Sequence, residues 1–262
     1  MGILRNVYEV EPHKHFWYTG YCMKKPQFTT DAFYHIYNRG VEKRKIFLDK
    51  EDHFRFIHDL FEFNDEEYAQ NIYYKSSALK SYEVQPRKIS KRRLLVEIIA
   101  YCLMPNHFHL FLRQKAGAGI VRFMQKLGTG YTMYFNQKYQ RVGGLFQGRF
   151  KAVLIEKESH FSYLPHYIHL NPLDLHIPSW RDKRINNPER ALKFLDSYRW
   201  SSYLDHIGKK NFPSVISANL FKKLYGTSKE YRGDLREWIN DMDFANLSDV
   251  IIEKSDFDIL RG

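Results

Sequence analysis

The sequence predicts an α+β fold, an antiparallel four-stranded sheet with two helices on one face. Three observations predict it. Four short stretches alternate apolar and polar residues or run continuously apolar, as strands do. Two longer stretches between them carry apolar residues at helical spacing. Their order along the chain is strand, helix, strand, strand, helix, strand, followed by a further helix. With 262 residues the chain is long enough to bury a sizeable core without covalent staples.

Residues 1–29 show no clear period and read as an N-terminal arm. "AFYHIYNRG" (32–40) alternates and ends in Asn-Arg-Gly, a strand running into a turn. "DKEDHFRFIHDLFEF" (49–63) begins with acidic residues and places Phe54, Ile57, Leu60 and Phe61 at helical spacing. Residues 64–92 are polar, charged and rich in Ser and Lys, and read as an insertion. "LLVEIIAYCLM" (94–104) is a strand, Pro105-Asn106 a turn, and "HFHLFLR" (107–113) the returning strand of a hairpin. Residues 119–139 set Ile120, Phe123, Met124, Leu127, Tyr131, Tyr134 and Phe135 on one helical stripe. "RVGGLFQG" (141–148) ends that helix, and "RFKAVLIE" (149–156) is a fourth strand. Ser159 is placed to cap a helix through "HFSYLPHYIHL" (160–170), which Asn171-Pro172 stops. This is the split βαβ, ferredoxin-like order, and it leaves one sheet face for a site. Residues 30–175 form that domain, and 176–262 a mostly helical extension whose clearest segments are "YRWSSYLDHIG" (198–208) and "SKEYRGDLREWIND" (228–241).

Composition narrows the partner. Against 30 acidic residues stand 41 basic ones, a net charge of +11 and a pI near 9.4, which favours a polyanion such as nucleic acid. Exposed members of the 19 Tyr and 20 Phe would offer stacking surfaces for unpaired bases. Two cysteines, Cys22 and Cys102, argue against a disulfide framework and suit a reducing cytoplasm. Glu9 and Glu11 interrupt the N-terminus, and Glu97 interrupts the most apolar stretch. Neither a signal peptide nor a membrane span is expected.

Chemistry concentrates in two places. His107 and His109 flank Phe108 on a strand, so both imidazoles share one face. Phe108, Leu110 and Leu112 form the opposite, apolar face. A lone His-x-His on a strand is a weak signal. In the predicted strand order the third strand lies beside the first, which brings His35 near the pair. The second place is "YLPHYIHLNP", where Tyr163, Tyr167 and Asn171 stand four residues apart along one helix line. A tyrosine beside a metal site is a candidate nucleophile, with the metal stabilising charge on the attacked phosphate.

The stretches "YHIYNRG", "YCLMPNHFHLFL", "LFQGRFKAVLIE" and "YIHLNP" follow the order found in the single-tyrosine HUH transposases, the IS200-like family. They most resemble its REP-associated tyrosine transposases. The resemblance covers about residues 30–175, with "WSSYLDHIG" as a weaker extension. It implies a catalytic helix on the second sheet face and a metal-dependent single-stranded DNA endonuclease and strand transferase. Such an enzyme forms a 5′-phosphotyrosine intermediate at hairpin or REP-like sequences, using Mg²⁺ or Mn²⁺, as a monomer or homodimer. By motif, His107 and His109 match the metal pair, Tyr167 the nucleophile and Asn171 the residue that completes the metal site, with Tyr163 in reserve as nucleophile. Candidate DNA contacts are His35, Arg39, Arg149 and Lys151, the last two expected on the fourth strand; Arg122 and Lys126 read as solvated surface charge. Three features depart from the family: Pro165 two residues before the nucleophile, the insertion and the C-terminal extension. The rival reading is a domesticated protein that binds hairpin nucleic acid without cutting it. A two-motif histidine phosphoesterase would need a second H-x-[ST] copy, and a β/α barrel would need repeated βα units; the sequence has neither.

Overall fold

A computed structural model describes residues 27–67, 92–177, 180–181, 185 and 187–241. Most of the N-terminal arm, most of the 64–92 insertion and residues 242–262 lie outside the described residues. The core elements are β1 (Phe33–Arg39), α1 (Lys50–Glu62), β2 (Val96–Met104), β3 (His107–Gln114), α2 (Gly119–Lys138), β4 (Lys151–Leu154) and α3 (Glu158–Leu170). The strands form one antiparallel sheet in the order β2-β3-β1-β4. This is the α+β, ferredoxin-like arrangement read from the sequence.

Each element has a local cause. Asp49 accepts from the Asp52 amide, and the Asp52 carboxylate returns the bond to the Asp49 amide, a capping box that starts α1. The buried stripe of α1 is Phe56, Ile57 and Leu60; Phe54 and Phe61, expected on it, are only half-buried. On α2 the predicted stripe is buried except for half-buried Tyr134. Gly130 lets α2 cross close to the end of α1, since a Cβ there would lie 2.5 Å from the Phe63 ring. In β2 a bulge between Ile98 and Ala100 shifts the register, and alternation resumes beyond it.

Two local expectations are corrected, and a third position proves harmless. Arg149 precedes β4 instead of lying on it. Ser159 sits inside the first turn of α3, and Lys157 occupies the cap position with no side-chain cap bond. Pro165 does not break α3. A proline has no amide hydrogen for the carbonyl four residues back, and that carbonyl, of Phe161, accepts instead from the Tyr225 hydroxyl at 2.8 Å. The helix then tightens into a 3-10 turn over Asn171–Leu175.

The C-terminal extension contributes α4 (Pro188–Leu195), α5 (Tyr203–His206), α6 (Ala218–Tyr225) and α7 (Ser228–Asp241). The "SKEYRGDLREWIND" segment is α7 throughout, whereas "YRWSSYLDHIG" holds only the single turn of α5. Its Trp200-Ser201 portion runs along the free edge of β2, where the Leu103 amide donates to the Trp200 carbonyl at 2.9 Å. That covers an edge otherwise open to pairing with another chain. No helix among the described residues is long and apolar enough to cross a membrane.

Two apolar clusters result, one on each sheet face. Tyr34, Ile36, Tyr101, Leu103, Phe108, Leu110 and Leu112 face α1 and α2. Ala100, Cys102, Met104 and Phe111 face α3 and the C-terminal helices.

Candidate active site

The register of the sheet decides which side chains meet. Across β1 and β3, Tyr37 pairs with His109 and Arg39 with His107. Directly opposed residues share a face, so β1 sends His35, Tyr37 and Arg39 to the same side as the two histidines. Because α3 packs on that side, Tyr167 enters the same space. Its ring meets His109 edge-on at 5.7 Å between centroids, and His35 at 6.2 Å. Tyr37 stacks over His35 at 5.2 Å and over His109 at 6.1 Å. Lys151 on β4 holds its ammonium 5.6 Å above the Tyr37 ring.

The two imidazoles are oriented by bonds to neighbours. His107 Nδ1 lies 2.7 Å from Asn106 Oδ1. The Asn106 amide nitrogen donates to the Lys43 carbonyl, so its oxygen faces His107 and His107 Nδ1 must donate. That leaves the lone pair of His107 on Nε2. His109 Nδ1 lies 2.9 Å from His35 Nε2, and the rings of His107 and His109 stand perpendicular at 5.0 Å. Burial, then the neighbouring His107, His35 and Arg181, push His109 well below the ordinary imidazole range. A neutral imidazole is the form that binds a metal.

Asn171 is fully buried at the end of α3. Its Nδ2 donates to the Tyr167 carbonyl at 2.8 Å, and its Oδ1 accepts from Arg181 at 3.0 Å. Imidazoles and an amide oxygen are donor types that suit a hard or borderline divalent cation such as Mg²⁺ or Mn²⁺. Among the described residues no cluster of three or more His, Cys, Asp or Glu is arranged to hold a metal.

The family model described as "Transposase IS200 like" matches residues 67–171, a span holding His107, His109, Tyr167 and Asn171. Over those residues the chain is similar to the IS200-like transposases. The matched span takes in β2, β3, α2, β4 and α3 but not β1, which supplies His35. A solved structure of a REP-associated tyrosine transposase bound to a REP hairpin is 10% identical to this chain. Its alignment covers 74% of this chain and 90% of that one, with a TM-score of 0.42. No curated protein matches the chain.

The remaining sequence candidates fall into two groups. His35 is buried and reaches His109 directly. Arg39 donates to Gln147, and Arg149 and Lys151 are exposed near the same end of the sheet. Arg122 and Lys126 instead donate to the carbonyls of Glu66 and of Asp65 and Glu67, which ties α2 to the chain leaving α1. Tyr163 packs toward Trp238 of α7 at 6.1 Å, away from the histidines. The sequence reading missed Tyr37 and Arg181. The alternation of "YHIYNRG" with His35 already implied Tyr37, whereas no pattern connects Arg181 to a helix that ends eleven residues earlier.

Proposed function

We propose that this protein is a transposase, a metal-dependent single-stranded DNA endonuclease and strand transferase that works through a 5′-phosphotyrosine intermediate at hairpin or REP-like sequences. The observation that carries the reading is the meeting of Tyr167 with His109 and His35 at centroid distances of 5.7 and 6.2 Å. His107, His109 and Asn171 would hold the Mg²⁺ or Mn²⁺. Bound there, the cation supplies Lewis acidity to the scissile phosphate. His35 serves in this reading as the partner that fixes the ring of His109, a role better suited to a buried imidazole than a phosphate contact.

Tyr167 Oη forms a bond to phosphorus while the bond from phosphorus to the 3′ oxygen breaks. The phenolic proton is released, and the departing 3′ oxygen takes up a proton to become a hydroxyl. The phosphotyrosine ester retains the energy of the broken diester, so the 3′-hydroxyl of a second strand can displace Tyr167 without a nucleotide cofactor. Arg39, Arg149 and Lys151, at one end of the site, are placed to hold the DNA backbone. The surplus of basic residues supports a nucleic-acid partner whose binding weakens steeply with salt.

One observation favours the non-cleaving alternative. Tyr167 is only 1% exposed, so cleavage requires its hydroxyl to be uncovered when DNA binds. One experiment separates the two readings. Hairpin DNA is incubated with wild type, His107→Ala, His109→Ala and the double variant, in Mg²⁺ or Mn²⁺ and in excess chelator, and covalent adducts are resolved under denaturing conditions. The expected result is an adduct from wild type with metal alone, and hairpin binding by every variant. Cleavage by the double variant, or by wild type in chelator, overturns the metal-dependent reading. Tight hairpin binding by wild type with no adduct under any condition establishes the alternative.

A further inference from the structure

Arg181 lies ten residues beyond the family match, in the segment that leads into the C-terminal helices. Its guanidinium is 5.4 Å from the Tyr167 ring and 4.5 Å from that of Trp180. Asp174 grips it through both carboxylate oxygens, at 3.0 Å to Nε and 2.8 Å to a terminal nitrogen. The Trp180 indole nitrogen donates to the same carboxylate at 2.5 Å. The terminal nitrogen held by Asp174 also donates to Asn171 Oδ1 at 3.0 Å.

We propose that Arg181 is a positioning residue of the metal site, acting through the Asn171 amide; this rests on the metal-dependent reading above. The carboxamide of Asn171 is held at both ends, its nitrogen on the Tyr167 carbonyl and its oxygen on Arg181. An amide oxygen has two lone pairs, so the bond from Arg181 still leaves one for a cation. The amide nitrogen is thereby excluded from the cation side. Without Arg181 the amide can turn over, exchanging an oxygen ligand for a nitrogen that cannot coordinate. Asp174 and Trp180 fix the guanidinium in turn, so the orientation of a buried ligand is set by residues outside the span of the family match. A planar fork is needed because one side chain must reach two acceptors on two residues, which a lysine ammonium at the end of a flexible stem does not reproduce.

The test is Mn²⁺ binding to the full chain without DNA, followed by electron paramagnetic resonance, with adduct formation and thermal unfolding recorded alongside. Wild type, R181Q, R181K, N171A, R181Q/N171A and H109A are compared. Residues that orient metal ligands typically contribute about 10–100-fold to metal affinity. Arg181→Gln is therefore expected to weaken Mn²⁺ binding by about tenfold or more, and Arg181→Lys, which keeps the charge, to do the same. The double variant is expected to bind no worse than Asn171→Ala alone, because the arginine acts through that amide. A merely structural arginine would lower the melting temperature and leave Mn²⁺ affinity of the folded protein unchanged. Should Arg181→Gln melt below the assay temperature, Arg181→Lys carries the measurement. Affinity within twofold of wild type in the folded variant overturns the proposal, as do losses from Arg181→Gln and Asn171→Ala that multiply. Wild-type affinity in His109→Ala would overturn the metal site itself, an outcome distinct from failure of the Arg181 link.

Discussion

Toward α1 and α2 the sheet buries Tyr34, Ile36, Leu110 and Leu112 against Phe56, Leu60, Phe123 and Leu127, and hydrocarbon meets hydrocarbon. Toward α3 and the C-terminal helices it buries His35 and His109, while His166, His169 and His206 lie among the rings of Tyr203, Phe221 and Tyr231. The first face needs only shape and volume. The second has to satisfy polar atoms one at a time. His169 spans two bonds, from Nδ1 to the Tyr231 hydroxyl at 2.6 Å and from Nε2 to Ser202 Oγ at 2.8 Å. Ser202 is itself tied to β2 by the Tyr101 amide at 2.9 Å. Helix α3 is thus moored to the sheet and to α7 through a chain of side-chain bonds, which fix geometry more tightly than apolar packing does. One face holds the domain together; the other holds Tyr167 in register with the histidines.

The largest expected effect isolates the second face. Tyr167→Phe keeps the ring against His109 and His35 but leaves no atom to form the ester. Covalent adduct should vanish while the melting temperature stays near wild type, and Tyr163→Phe should retain the adduct. An adduct that persists in Tyr167→Phe and disappears in Tyr163→Phe would move the nucleophile one helical turn back. The opposite experiment is on the first face. Phe56→Ala removes a fully buried ring and should cost about 3–5 kcal/mol in urea unfolding, while the folded fraction still forms adduct. Loss of adduct per folded molecule would show that the two faces are not separable.

What could be read from the sequence differs between the faces for the same reason. Apolar periodicity reports the first face almost completely, because every member of the α2 stripe is there for its burial. It also places the strands and their order. Where it slipped, on Phe56 in α1 and on the extent of β4, the helix face and strand length were settled by packing against distant residues. On the second face the histidine pair, Tyr167 and Asn171 were legible as motif residues within one stretch of chain. Ser202 and Tyr231 were not, because each gains its place from a partner far away in sequence, and Arg181 was not, because no period spans the turn between it and Asn171. Hydrogen bonds between such residues leave no periodicity to detect. Two of the C-terminal helices, α4 and α6, were missed as well; each has only eight residues, too short for a strong period.

A smaller effect comes from pH. Burial pushes His166 down to about 4 and His206 to about 3, below the ordinary imidazole value. The unfolded chain binds these protons near pH 6.5, and the folded chain does so only at the lower values. Their contribution to stability is therefore present above about pH 6.5 and declines as pH falls, at up to about 1.4 kcal/mol per pH unit for each histidine. The loss continues until about pH 4 for His166 and about pH 3 for His206. Hydrogen exchange at pH 7 and pH 5, corrected for intrinsic rates, should show α6 and α7 losing protection before α1 and α2. His206→Gln, which keeps a donor for the Ile99 carbonyl but does not titrate, should reduce the slope. Earlier loss on the α1 and α2 face would break the comparison.

The smallest effect tests how the extension supports α3. Pro165 leaves the Phe161 carbonyl without its helical donor, and the Tyr225 hydroxyl supplies one at 2.8 Å. Tyr225→Phe preserves the stacking of that ring on Phe161 at 5.6 Å and removes only the hydroxyl, for an expected loss of about 1 kcal/mol. Pro165→Ala restores a backbone amide that can bond to the same carbonyl. If the hydroxyl acts by replacing the missing helical bond, the two substitutions must couple: Tyr225→Phe should cost less in the Pro165→Ala background than in wild type. A double-mutant cycle in urea unfolding measures that coupling directly. Equal costs in both backgrounds would mean that the Tyr225 hydroxyl does not stand in for the missing helical bond. The proline would then be tolerated because the Phe161 carbonyl needs no substitute donor, and the mooring of α3 would rest on the His169 bonds and the apolar contacts around them.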